Sequence, residues 1–116
     1  MTHHRATVLV VDDEPEMVTL LRDFLNDAFE VITATAGDEA LELVDSSIDV
    51  VVLDRRMPGL SGDEIAQNLH AGEHSPRLIF LSAIDPAELT TPEHDDYLQK
   101  PISREELIDA IESVLE

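Results

Sequence analysis

VLVVDDEP, residues 8–15, runs four apolar residues straight into Asp12, Asp13 and Glu14, and a proline follows. The apolar part does not alternate with polar residues, which suits a strand covered on both faces of a parallel sheet. The acidic part needs a separate reason. At ~4 Å and an effective dielectric near 20, each pair of like charges costs roughly 4 kcal/mol before screening. A strand built to end on adjacent carboxylates therefore implies a cation at its end.

Working outward, four more runs repeat the apolar theme: EVITA (30–34), DVVVL (49–53), RLIFL (77–81) and the weaker DYLQ (96–99). Segments of helical period separate them. Met17, Leu20, Leu21, Phe24, Leu25 and Ala28 mark one face of a first helix, with Pro15 near its start, where a missing N–H costs least. A second helix is expected over 38–46 with Leu41 and Val44 inward, and a third over 62–71, ending at Gly72. The last, over 103–115, opens with the capping-box spelling Ser103-Arg104-Glu105-Glu106 and buries Leu107, Ile111 and Val114. Residues 83–95 carry two prolines and two threonines, a poor composition for a long helix, so a loop with at most a turn or two is expected. Strand and helix in alternation predict an α/β fold with right-handed crossovers. No linker or repeat interrupts the 116 residues, so one domain, 1–116, is expected.

The composition narrows function. Acidic residues number 26 against 7 basic ones, a net charge of −19, and Lys100 is the sole lysine. Such a surface repels nucleic acid. The absence of cysteine excludes disulfides and thiolate metal sites. No apolar run is long enough to span a bilayer, and MTHHRAT lacks the apolar core of a signal peptide, so the expectation is a cytoplasmic protein with no membrane partner. An acidic, lysine-poor surface also suits concentrated salt, which screens self-repulsion to within about 3 Å at 1 M, and a halophilic source is expected.

In open parallel sheets, ligands sit at the carboxyl ends of the strands. There the first strand supplies Asp12 and Asp13, the third Asp54 and the fourth Ser82, while Lys100-Pro101 follows the fifth. Three carboxylates, a hydroxyl and the only lysine are thus expected at one edge. A hard divalent cation fits that donor set, and Mg²⁺ with a phosphate ligand is the usual solution. Helix capping by strand-end aspartates accounts for Asp13 and in part Asp12, but not for the lysine.

VVDDEP, LDRRMPGLSGDE around Asp54, FLSA at Ser82 and DYLQKP at Lys100 resemble, in order, the motifs of two-component response-regulator receiver domains. DRRMPGLSGDE, DDYLQKPISREEL and the acidic surface look most like haloarchaeal receivers. The resemblance covers essentially the whole chain. It implies a flavodoxin-like, doubly wound five-stranded parallel sheet of order 2-1-3-4-5 with flanking helices, the fourth helix shortened or absent. By the same resemblance Asp54 is the phosphoacceptor, attacking the phosphohistidine of a sensor histidine kinase or phosphotransfer protein. Asp13, Asp54 and the backbone carbonyl of Arg56 would hold Mg²⁺, with Asp12 acting mostly through water. Lys100 would pair with Asp54 at rest and with a phosphoryl oxygen afterwards; Ser82 would hydrogen-bond the phosphoryl group, and Tyr97 would swing inward as the switch aromatic. Pro101 would follow a cis peptide. Such a protein catalyses its own phosphorylation and slow dephosphorylation but serves as a switch, a monomer or weak phosphorylation-dependent dimer.

Two departures from the family pattern stand out. The segment from Ser82 to Lys100 is short by roughly a helical turn, and Ile102 stands where many relatives have phenylalanine. Bulk at Arg56 and Ile84 is expected to slow loss of the phosphoryl group. The rival readings are a pseudo-receiver that binds partners without phosphorylation, a Mg²⁺-dependent phosphatase with a nucleophilic aspartate, and a flavodoxin-like FMN binder. The complete set Asp12, Asp13, Asp54, Ser82 and Lys100 disfavours the first. The second places a D-x-D motif on its first strand, where this chain has a contiguous pair, and DDEP is the opposite of the hydroxyl- and glycine-rich loop the third requires.

Overall fold

Val, Ile and Leu runs take the interior and the amphipathic segments wrap them, as the alternation requires. The computed structural model describes residues 5–54, 62–71, 76–82 and 96–115. Their elements are β1 (Thr7–Val11), α1 (Pro15–Leu25), β2 (Glu30–Ala34), α2 (Gly37–Leu43), β3 (Val50–Asp54), α3 (Gly62–Ala71), β4 (Arg77–Ser82), β5 (Asp96–Gln99) and α4 (Arg104–Leu115). All strands pair in parallel in the order β2-β1-β3-β4-β5. The fold is therefore the flavodoxin-like sheet expected. The expectation of a short or absent helix over 83–95 lies outside the described residues, as does the end of the third helix at Gly72.

Side chains alternate across the sheet with period two, and this sorts the core into two layers. Leu9, Val11, Val51, Leu53, Leu78 and Phe80 face one way, where Ala40, Ile65 and Leu69 of α2 and α3 cover them. Val8, Val10, Val50, Val52, Ile79 and Leu81 face the other way, under Leu21 and Leu25 of α1 and Leu107 and Ile111 of α4. The residues of β1 from Val8 on, and all of β3, are buried, which explains why those runs are apolar without alternation.

Three boundaries differ from the sequence reading. The third strand starts at Val50, because Asp49 is used before it: its N–H donates to Thr7 O at 2.9 Å and its Oδ2 accepts the Thr7 N–H at 2.8 Å. The second helix stops at Leu43 with Val44 extended. Asp45 then makes a tight turn, its Oδ1 accepting the Ser47 N–H at 2.8 Å, a local bond that competes with continued helix. The buried face of α1 is Val18, Leu21 and Leu25, while Leu20 is 44% exposed and Ala28 falls beyond the helix. At α4, Ser103 Oγ accepts the Glu106 N–H at 3.1 Å, the N-cap half of the expected capping box.

Candidate functional site

The period-two rule places the site before any distance is measured. Asp54 shares the parity of Val50 and Val52; Asp12, one residue past β1, shares that of Val8 and Val10; Lys100, just past β5, shares that of Leu98. All three therefore turn toward the side covered by α1 and α4, whose core includes those apolar residues. Ser82 has the parity of Leu78 and Phe80 and enters the same edge from the opposite side.

The geometry agrees. Lys100 Nζ lies 3.4 Å from Asp12 Oδ2 and 3.6 Å from Asp54 Oδ2. Asp12 is fully buried, and Asp54 and Ser82 nearly so. The family resemblance implies a Lys100–Asp54 pair, with Asp12 acting mostly through water. Here the ammonium bridges both aspartates, with Asp12 the nearer. The other oxygen of Asp12, Oδ1, accepts the Glu14 N–H at 3.0 Å, which fixes the carboxylate and aims Oδ2 at the lysine. The main chain fixes the rest of the edge: the Lys100 N–H donates to Ser82 O at 2.7 Å, and the Asp12 N–H to Ala34 O at 3.2 Å. The Lys100–Pro101 peptide is cis.

Asp13 completes the cluster. One carboxylate oxygen from each of Asp12, Asp13 and Asp54 lies within 4.8 Å of the others. An all-oxygen, all-anionic donor set at that spacing suits a hard divalent cation and offers no soft ligand to a thiophilic metal. Among the described residues one ammonium stands beside two buried carboxylates, an excess of negative charge that favours such a cation. Arg56 lies outside the described residues. Tyr97 stands on β5 opposite Phe80 in the ladder; its side chain is not among those described.

One feature escaped the sequence reading. Beside the acidic cluster, Met17, Leu20, Leu21 and Phe24 of α1 face Lys100-Pro101-Ile102 across an apolar groove of about 340 Å³. The helical spacing of the four α1 residues was legible. Their assignment to a groove wall was not, since a core face and a docking face have the same period.

A family model described as the response regulator receiver domain matches residues 8–112. Transcriptional regulatory protein CpxR of Escherichia coli is 35% identical over 112 residues, which are 93% of this chain and 48% of that protein. A protein of Haloferax volcanii is 36% identical over 110 residues, 93% of this chain and 19% of its own length. The chain thus spans less than half of either relative. Among solved structures, response regulator TrrA of Thermotoga maritima, in complex with Mg(2+)-BeF, is 33% identical, with a TM-score of 0.84 over 95% of this chain and 99% of that one. Chemotaxis response regulator CheY4 of Vibrio cholerae is 27% identical, with a TM-score of 0.87 over 95% and 98%.

Proposed function

The chain belongs to the response-regulator receiver family, and from that premise we propose that Asp54 accepts a phosphoryl group from the phosphohistidine of a sensor histidine kinase or phosphotransfer protein, switching the domain's contacts with an output partner. The observation that carries this reading is the lysine bridging two buried aspartates, Asp12 and Asp54, at 3.4 and 3.6 Å. A buried carboxylate mounted on a rigid strand and faced by a fixed ammonium is arranged for a nucleophile whose product is more negative than itself.

In the transfer, an Asp54 carboxylate oxygen attacks phosphorus in line. The oxygen–phosphorus bond forms as the phosphorus–nitrogen bond breaks, and its electron pair leaves with the imidazole. Lys100 moves its charge from the Asp54 carboxylate to a phosphoryl oxygen, and the Ser82 hydroxyl donates to another. Asp13, Asp54 and the Arg56 carbonyl would hold Mg²⁺, with Asp12 acting on it mostly through water, and the ion would supply positive charge beside the phosphoryl oxygens. Asp12, held by the Glu14 N–H, keeps Lys100 oriented while the charge is redistributed. Tyr97 follows Ser82 as the switch. The groove beside Lys100 seats the donor protein, since its apolar walls lead to the reacting edge. The setting proposed is a cytoplasmic, halophilic two-component system, with the chain acting as one domain, 1–116. Among the described residues no helix is long and apolar enough to cross a membrane.

Intact-mass measurement in KCl with Mg²⁺ and acetyl phosphate tests the chemistry. Wild type should gain one phosphoryl group, and Asp54→Asn should gain none. No gain by folded wild type would remove the proposal and leave a binding module that keeps the fold.

A further inference from the structure

We propose that Arg104 is a positioning residue, a strut that sets the width of the groove beside Lys100 and so governs docking of a histidine-kinase donor; this rests on the function proposed above. The last carbonyls of a helix lack partners within it. At the end of α1 the Asn26 N–H takes Arg22 O, while the Ala28 and Phe29 N–H groups both take Leu25 O. Phe24 O is met from another helix: Arg104 Nε donates to it at 3.0 Å, and Arg104 Nη2 stands 3.9 Å from Asp27 Oδ2.

The two ends of this contact belong to opposite walls. Phe24 lines the groove from α1, and Arg104 lies two residues beyond Ile102, which lines it from the other side. Between them Ser103 caps α4, so the arginine starts a rigid helix. Lys100 is pinned to β4 through Ser82 O. The segment 101–103 is therefore held at the site end by the sheet and at the far end by α4, which Leu107 and Ile111 bury in the core and Arg104 ties to the end of α1. No reacting atom touches the arginine; it acts through the spacing of the walls.

A purely structural role is separable, because α1 has other anchors. Val18, Leu21 and Leu25 bury it in the core, and the Arg5 guanidinium independently binds Asn26 O and Phe29 O just past its end. Leu107 and Ile111 likewise bury α4, so removing Arg104 should leave both helices in place and loosen only the spacing between the end of α1 and the 101–103 wall.

The test measures phosphoryl transfer from purified, radiolabelled sensor histidine kinases, taken one by one, to wild type, Arg104→Gln, Arg104→Lys and Arg5→Gln, with acetyl phosphate labelling in parallel. For a kinase that labels wild type, Arg104→Gln should raise KM roughly tenfold, the scale of one lost hydrogen bond. The maximal rate and acetyl phosphate labelling should hold, and Arg104→Lys should recover part of the loss. Arg5→Gln should lower the melting temperature without moving KM. An unchanged KM in Arg104→Gln overturns the proposal, as does a matching fall in acetyl phosphate labelling or the same KM rise in Arg5→Gln. If acetyl phosphate labels wild type and no kinase does, the docking role fails with the chemistry intact. If acetyl phosphate fails as well, the phosphoacceptor reading fails with it.

Discussion

Replacing Lys100 with methionine keeps all but the last atom of the side chain's length and removes its charge from between two buried carboxylates. At an effective dielectric near 20, the 3.4 and 3.6 Å contacts amount to about 5 kcal/mol of gross attraction each. The carboxylates, within 4.8 Å of one another, repel by at least about 3.5 kcal/mol on the same scale. Most of the attraction is offset by desolvating an ammonium that is only 22% exposed. What remains is the penalty for stranding buried charge, about 3–4 kcal/mol in metal-free buffer. If the lysine serves both aspartates, the penalty depends on the nearer one. In an Asp12→Asn background one carboxylate is left to compensate, and Lys100→Met should cost about half as much, a coupling of roughly 1.5 kcal/mol. Urea unfolding of the four proteins of the cycle, at fixed KCl with EDTA, measures this directly. Equal costs in the two backgrounds would show that the Lys100–Asp12 contact carries no energy and would refute the bridging arrangement. Adding Mg²⁺ should restore most of the stability lost by Lys100→Met, since the dication replaces the missing charge.

Leu21→Ala should cost about 2–5 kcal/mol in the same assay, whereas Leu20→Ala, one residue earlier but on the groove wall, should stay within about 0.5 kcal/mol. Ser103→Ala removes the α4 cap and should cost about 1 kcal/mol, with a faster-exchanging Glu106 amide in hydrogen exchange. With a net charge of −19, the melting temperature should climb as KCl shortens the screening length from about 10 Å at 0.1 M to about 3 Å at 1 M; a flat profile by circular dichroism would rule out self-repulsion as the limit on stability.

The strands were legible because a sheet buried on both faces leaves little room for polar residues, so β1, β3 and β4 read as unbroken apolar runs. The edge where they end was legible for the same reason: carboxylates directly after such a run repel one another unless a cation lies between them. The face of α1 was misjudged at Leu20 and Val18, because periodicity counts apolar residues without separating core from groove. The second helix was overrun to residue 46, since the Asp45–Ser47 turn competes through a bond that no apolar pattern reports. The Lys100–Asp12 contact was missed although parity held the clue: residues 12, 54 and 100 all continue the strand positions that face α1 and α4. The roles of Arg5 and Arg104 left no local signal, because carbonyl acceptors from distant turns become their neighbours only after folding.

Strand order has a consequence in time. β1 lies between β2 and β3 in the sheet, yet a growing chain completes it long before residue 50 exists. At ~5–20 residues per second, the interval from the end of β2 at Ala34 to the end of β3 at Asp54 lasts roughly one to four seconds on the ribosome. For that interval a nascent β1 has one flank unpaired, an open strand edge of the kind that templates aggregation. Nascent chains stalled with β2 but not β3 outside the exit tunnel should therefore be cut by protease within β1, while chains stalled far enough on for β3 to clear it should resist.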